Sequence, residues 1–431
     1  VTITDQRPTP DAEAQEQRQA MFRLLLVVLA GAFAAYALGI AKATLVVLAV
    51  VLMIMLHELG HFVAAKASRM KVTEFFVGFG PRLWSVRKGE TEYGVKALPL
   101  GGYVKIIGMH NLEDVDPADE PRTYRQQSFP RRLAVAVAGS FVHFVIAFLL
   151  LVALHSTVGI IRYDKQPLPQ IGEISRLSTG PSPAQRAGLH VGDHIIAIDG
   201  QPVQDWTAMR NYIQDHPGKP VEFLIERAGR RVTVTVTPVT QQGRRVGPDG
   251  QPVGKPEPVG FVGIAPAYPV EKDSLGKGVV RSVGDIGLYS RETVKALGHL
   301  FSLQGLHQYG EQLTSGHGPT TPSQDQPRFL SPVGLARVAS QAAENGIRQV
   351  LVLLVSINIF VGILNMFPML PFDGGHVAIA VYEAIRSKLA RRRYHADVAK
   401  LLPITYVVFL LLMVLAVTSL YLDIARPLNL Q

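Results

Sequence analysis

The chain reads as a multi-pass α-helical membrane protein with a small membrane-associated β-sheet and one α+β domain outside the membrane. Three observations predict this. Several apolar stretches reach or approach the ~20 residues that a helix needs to cross hydrocarbon. The 431 residues are 48% hydrophobic, high for a soluble protein and low for a bundle made only of spans. Period-two patterns such as Val221-Glu-Phe-Leu-Ile-Glu and Arg231-Val-Thr-Val-Thr-Val-Thr supply strands between the spans. The net charge of +9 could suggest nucleic acid, but much of the excess flanks apolar spans, where lysine and arginine set topology; no nucleic-acid partner is expected. The absence of cysteine excludes disulfide frameworks, thiolate metal sites and thiol nucleophiles.

Taken in order, residues 1–20 form a polar tail and residues 21–42 an extra N-terminal span, with Arg23 as its one interruption between Met21 and Ile40. The connection Ala41-Lys42-Ala43 is short, so a separate span and one long bent helix are both open; the separate span is favoured. No small-residue cleavage pattern precedes the next span, so a cleaved signal peptide is not expected. Residues 43–67 form that span, residues 72–107 a β region around Pro99 and Gly101-Gly102, and residues 133–154 a further span. Residues 170–239 hold the outer domain. Within residues 240–347, Gln241 to Pro258 and Gly316 to Arg328 read as loops, the first of them mobile, Val259 to Pro266 as a returning strand, and Val279 to Leu303 as an amphipathic helix suited to the membrane surface. His299 and His307 read as interfacial side chains. Residues 348–376 and 401–422 supply the last two spans.

Charge sets the expected orientation. Lys66, Arg69, Lys71, Arg82, Arg87 and Lys88 follow the second span, Arg131 and Arg132 precede the third, and Arg386, Lys388, Arg391, Arg392 and Arg393 lie between the last two. Placed on one side, these clusters make that side cytoplasmic. Residues from about His155 to Arg348 then face outward, with the N-terminus in and the C-terminus out.

The chemistry is concentrated in His57-Glu58-Leu59-Gly60-His61, an H-E-x-x-H sequence in a run that otherwise carries no charge from Ala43 to Ala65. Four residues apart on a helix, His57 and His61 share a face and can offer two imidazole nitrogens to one metal ion. Glu58 points to a neighbouring face, where a carboxylate can act as general base on water without ligating the metal. On a soluble helix the motif also arises by chance. In an apolar span a carboxylate costs about 2.5 kcal/mol or more at the bilayer centre, which calls for an offsetting use. A third ligand is expected from another helix, and the best candidate is Asp373 in Asn365-Met-Phe-Pro-Met-Leu-Pro-Phe-Asp-Gly-Gly-His376. Its prolines and glycines predict irregular backbone lining a polar cavity. By itself the same segment suits a turn and helix N-cap.

Together these motifs make the chain similar to the bacterial site-2 proteases, intramembrane zinc metalloproteases. The first family motif is matched at residues 57–61. The second, N-x-x-P-x-x-x-L-D-G, is matched from Asn365 to Gly374 with Phe372 in place of Leu. Phe76-Val-Gly-Phe-Gly-Pro81, Leu98-Pro-Leu-Gly-Gly-Tyr-Val104 and Leu330-Ser-Pro-Val333 extend the resemblance to residues 44–422. It implies Zn2+ held by His57, His61 and Asp373, Glu58 as base, and Asn365 near the substrate or the transition-state oxygen. One departure stands out: related proteins often have G-x-x-x-N where this chain has Gly139-Ser-Phe-Val-His143, so His143 could approach the site, pair with another polar group or face the bundle interior.

Pro183 to Leu189 and Val191 to Gly200 resemble a bacterial PDZ domain. No G-L-G-F-type carboxylate loop precedes its helix, so peptide binding and a bulky screen against large substrates are both open. The β region could hold a substrate extended by strand addition, or merely cap the bundle. The resemblance further implies regulated intramembrane proteolysis in a bacterial inner or plasma membrane, with the lipid bilayer around the chain and single-span proteins as substrates, above all anti-sigma factors already trimmed outside. Two other classes compete. A zinc or cation transporter would not need Glu58 beside His57, nor an outer domain. An inactive PDZ-bearing scaffold could lose Glu58 or Asp373 without penalty.

Overall fold

The computed structural model describes residues 10–109, 113–175, 177, 180–246, 252–314 and 329–425. The chain divides into two compact units, one of residues 1–158 and 274–430, the other of residues 159–273.

The first unit is helical. Its elements are α1 (Pro10–Ala37), α2 (Ala41–Ala67), β1 (Val72–Lys88), β2 (Thr91–Ile106) and α3 (Phe129–Ala153). After the second unit come α6 (Leu275–Leu300), α7 (Leu303–Thr314), α8 (Pro332–Glu344), α9 (Ile347–Asn365), α10 (Asp373–Ala390) and α11 (Leu402–Ala425). Among the described residues, five stretches, at 18–37, 41–67, 129–158, 347–365 and 398–425, are long and apolar enough to cross a membrane. The first two are separate helices, parted by a turn at Leu38 to Ile40. The polar tail is not uniformly tail: α1 starts at Pro10, because Ala, Glu, Gln and Arg are strong helix formers and proline is tolerated in a first turn. Residues 1–9 lie outside the described residues.

Small residues bring α2 and α3 together. A Cβ at Gly60 would lie 2.8 Å from the Ala138 carbonyl oxygen, so the two backbones approach at close range. Val46 and Met53 of α2 pack with Ala339 of α8 and Leu354 of α9. Ala65, Met70, Val72, Ile106, Tyr124 and Val135 form a second cluster where α2, the sheet and α3 meet. The Leu330 to Val333 motif is a helix start: Ser331 Oγ accepts from Gly334 N at 3.2 Å, and buried Asp423 of α11 accepts from Ser331 N at 2.7 Å. The range 240–347 therefore contains a helix, α8, that patterning did not single out.

β1 and β2 pair antiparallel with repeated register shifts. Val72 to Val77 lies beside Gly102 to Ile106 on one side and beside Glu92 to Val95 on the other, while Arg82 to Lys88 pairs with the far side of the latter. Among the described residues, Gly102 to Ile106 thus has a strand neighbour on one edge only, and Met55 and Glu58 of α2 lie close to Gly102.

The second unit contains β3 (Ile160–Ile161), β4 (Leu168–Ile174), α4 (Pro183–Arg186), β5 (His194–Ile198), β6 (Gln201–Pro202), α5 (Trp206–Gln214), β7 (Val221–Arg227), β8 (Arg230–Val236), β9 (Val239–Val246), β10 (Pro252–Phe261), β11 (Ile264–Ala267) and β12 (Val270–Glu271). Strand order in its main sheet is β11-β4-β5-β7-β8, with β6 on β5 and β11 at one edge. Along β7, Val221, Phe223 and Ile225 are buried and Glu222 and Glu226 exposed, the alternation of a half-buried strand. Trp206, Met209 and Ile213 of α5 complete the core. Asp205 caps α5 by accepting from Ala208 N at 2.7 Å, and Ser182 and Gln185 form a capping box on α4.

One sequence expectation fails here. The described residues 241–246 and 252–258 are strand rather than loop: β9 and β10 pair antiparallel. Their glycines and prolines mask tertiary support, for Gln214 Nε2 donates to the Arg244 carbonyl at 3.2 Å and Arg245 bridges Asp215 and Glu257 at 2.7 and 2.6 Å. The compact unit is accordingly wider than residues 170–239 at both ends. The loop expected at Gly316 to Arg328 falls outside the described residues.

Candidate metal centre

α2 presents His57 and His61 on one face, and both rings are buried. Asp373 opens α10 directly after the Pro368 to Phe372 turn. That turn is tight: a Cβ at Gly374 would lie 2.3 Å from the Met366 carbonyl oxygen, and one at Gly375 2.6 Å from Leu370 N. The two glycines allow α10 to start against the preceding backbone and turn Asp373 towards α2.

Three donor atoms converge. His57 Nε2 and His61 Nε2 are 3.1 Å apart, and Asp373 Oδ2 is 3.3 Å from the first and 3.2 Å from the second. Each is a candidate metal ligand. A tetrahedral ion with bonds of about 2.0–2.1 Å has ligand-to-ligand edges of about 3.3 Å, so the three atoms form one face of such a tetrahedron. Asp373 Oδ2 is buried without a hydrogen-bond donor, as a ligand oxygen would be. Gly139 of α3 borders the same space: a Cβ there would lie 2.4 Å from His61 Nε2 and 2.6 Å from His57 Nε2. Two imidazoles and a carboxylate suit zinc, and the residues fit it.

The two histidines are held differently. His61 Nδ1 donates to the Val135 carbonyl at 2.7 Å, leaving Nε2 with its lone pair inward. His57 Nδ1 has no hydrogen-bond partner, and its ring instead lies 5.0 Å, centroid to centroid, from that of His143. His143 is itself fixed. Asn358 Nδ2 donates to the Leu354 carbonyl at 2.7 Å, which turns its Oδ1 to accept from His143 Nδ1 at 2.8 Å. Of the three places open to His143 in the sequence, it takes two, beside the site and paired with a polar group.

Glu58, half-buried, faces β2. Its Cγ is 3.5 Å from the position a Cβ would take on Gly102, and the Val104 backbone amide hydrogen-bonds its carboxylate. Asn365 ends α9, and among the described residues no hydrogen bond or ion pair joins it to the three donors. Sequence reasoning missed Asn358, the Val135 carbonyl and a buried ion pair, Arg132 to Glu383 at 2.5 Å, that ties α10 to α3. An Asn in the middle of an apolar helix is the available signal for the first.

A bundle of apolar helices enclosing this donor set defines a membrane-embedded metalloenzyme. The sequence profile of Peptidase family M50 matches residues 43–414, and the chain belongs to that family. It is 33% identical over 409 residues to "Zinc metalloprotease Rip1" of Mycobacterium tuberculosis (strain ATCC 25618 / H37Rv), covering 89% of this chain and 97% of the relative. It is 28% identical over 446 residues to "Zinc metalloprotease RasP" of Geobacillus kaustophilus (strain HTA426), covering 87% and 95%. The chain is an integral membrane metalloendopeptidase, and zinc is its metal.

Proposed function

We propose that the chain cuts single-span membrane proteins within the bilayer, in regulated intramembrane proteolysis of substrates such as anti-sigma factors trimmed beforehand outside the membrane. The observation that carries this reading is the convergence of His57, His61 and Asp373 beside Glu58 and an open strand edge, all next to apolar helices. His57, His61 and Asp373 hold the zinc ion. When bound, zinc supplies Lewis acidity, which makes water nucleophilic near neutral pH and polarises a carbonyl.

The chain's own residues do the rest. A substrate helix satisfies its amides internally and must unwind before a peptide carbonyl is accessible. Gly102 to Ile106 receives the unwound segment by strand addition. That edge adjoins Glu58, so a peptide paired there passes the carboxylate. Glu58 takes a proton from the attacking water as its oxygen bonds to the carbonyl carbon, then delivers that proton to the leaving nitrogen as the C–N bond breaks. Asn365, at the end of α9, offers an amide to the substrate.

The basic clusters around residues 66–88, 131–132 and 386–393 support a site towards the cytoplasm of a bacterial inner or plasma membrane, with residues 159–273 outside. We read the latter unit as a PDZ domain, on its five-strand order with α4 and α5 and on the groove between α5 and the edge strand β11. The test measures zinc content and cleavage of a model single-span substrate for parent and Glu58→Gln in detergent. About one zinc per chain in both, with turnover in the variant reduced by about 10²- to 10⁴-fold, is expected. Parental cleavage by the variant would remove Glu58 from the chemistry.

A further inference from the structure

Within residues 159–273, α5, the β9–β10 hairpin and β11 enclose a groove of about 360 Å³. Its floor is apolar, with Met209 and Ile213 from α5 and Val262 and Ile264 from around β11. The groove is built rather than incidental. A Cβ at Gly260 would lie 2.2 Å from the Ile213 carbonyl oxygen, and Gln214 binds the Arg244 carbonyl at 3.2 Å, so the hairpin is pinned to the end of α5 as a wall. β11 has one strand neighbour, β4, and its other edge can accept a chain.

Two cations line this apolar space, Arg210 from α5 and Arg244 from β9. Neither guanidinium has a carboxylate partner among the described residues. Three other arginines of the unit are paired, Arg227 with Asp193 at 2.6 Å, Arg245 with Asp215 and Glu257 at 2.7 and 2.6 Å, and Arg162 with Asp164 at 2.7 Å, while Arg186, Arg230 and Arg231, which lie outside the groove, have no carboxylate among the described residues either. Desolvation lowers the basicity of Arg210, and the one titratable group acting against that is Tyr268. Both are exposed at the groove's rim, and together they complement two negative charges on an occupant, more than one chain terminus supplies.

We propose that this groove docks an extended acidic peptide, whose side-chain carboxylates pair with Arg210 and Arg244 while its backbone adds to β11. The inference rests on the PDZ reading and deepens it by naming what the domain selects. A substrate's extracytoplasmic segment carrying Asp or Glu among apolar residues has the matching chemistry.

The experiment uses the full chain in detergent and fluorescent ten-residue peptides, acetylated and amidated so that no terminal charge remains. One apolar sequence is made with two Asp, with two Asn and with two Lys, and the Asn form also with a free C-terminus. The Asp peptide is expected to bind about five- to tenfold more tightly than the Asn peptide at low salt, as two partly exposed ion pairs would give, and the preference should shrink as salt rises. Arg210→Gln combined with Arg244→Gln should bring the ratio close to one, and Arg210→Glu with Arg244→Glu should favour the Lys peptide. Arg231→Gln, on β8, should leave the ratio unchanged. Equal binding of the Asp and Asn peptides by the parent would overturn charge selection while leaving a peptide groove. Binding of the free-terminus peptide alone would replace the side-chain ligand with a chain end. No binding by any peptide would remove the PDZ reading itself, and the inference with it.

Discussion

The two units place their polar and apolar groups in opposite ways. In residues 159–273, Phe223 and Ile195 are fully buried and the glutamates of β7 face outward. In the helical unit, Tyr406, Val407 and Leu410 of α11 are 68%, 66% and 64% exposed, while His143, Asn358, Arg132 and Asp423 are buried. Each of those four has a partner: His143 has Asn358, Arg132 has Glu383, and Asp423 receives Ser331 N. The smaller unit is held by removing apolar surface from water. Lipid offers the helices no such gain, so they are held by close backbone approach and by partnered polar groups. A buried polar group marks organisation in the helical unit, as a buried aromatic does in the other.

The largest effect that would sharpen this contrast is expected at Gly139. Gly139→Ala puts a methyl group where the donor atoms converge, so zinc per chain should fall from about one to near zero with the helices still folded; metal analysis beside circular dichroism checks both, and parental zinc content would break the argument. Next comes the outer unit. Phe223→Ala should cost it about 3–5 kcal/mol in urea unfolding followed by limited proteolysis, whereas Leu410→Ala on the exposed face of α11 should stay within about 0.5 kcal/mol in detergent. Comparable losses at the two sites would erase the distinction. A smaller effect is expected at His143→Ala, which removes the ring supporting His57: zinc affinity in chelator competition should fall roughly 10- to 100-fold, and an unchanged affinity would make His143 a filler of space.

The smallest effect is expected from pH. Arg122 chiefly, with Lys66, holds the Glu90 carboxyl down at about 2 from its ordinary 4.5. A carboxyl depressed on folding stabilises above its unfolded value and loses that contribution as pH falls through the folded one. The protection of amides in the β1–β2 hairpin, taken relative to their intrinsic exchange rates, should therefore fall between pH 4.5 and about 2. Glu90→Gln should flatten that dependence; the same acid-induced loosening in the variant would assign it to another group.

The sequence makes some of this legible and hides the rest for physical reasons. His57 and His61 are visible because helical period alone brings i and i+4 together. Asp373 is visible because prolines and glycines in an apolar context announce irregular backbone. The partners of His143 and Arg132 lie 215 and 251 residues away, beyond any local pattern, so Asn358 and Glu383 pass as ordinary span and helix residues. The β9–β10 hairpin is hidden for a related reason: its composition is that of a loop, and contacts with α5 supply what its own residues lack. In the β region the pattern shows Tyr93 to Leu98 and the stretch from Tyr103 as two short strands, but both belong to β2; β1 and the double pairing, which depends on bends at Gly78 and Gly80, both with positive φ, are not legible.

The open edge of Gly102 to Ile106 also bears on hydration. Unpaired backbone amides and carbonyls in hydrocarbon cost several kcal/mol each, so this strip is stable only where water reaches it. Hydrolysis consumes one water per cut, and lipid cannot deliver it. If the strip receives a substrate strand as proposed above, it doubles as the wet margin of the site, from which an incoming peptide would displace solvent at the place where the next reaction draws on it.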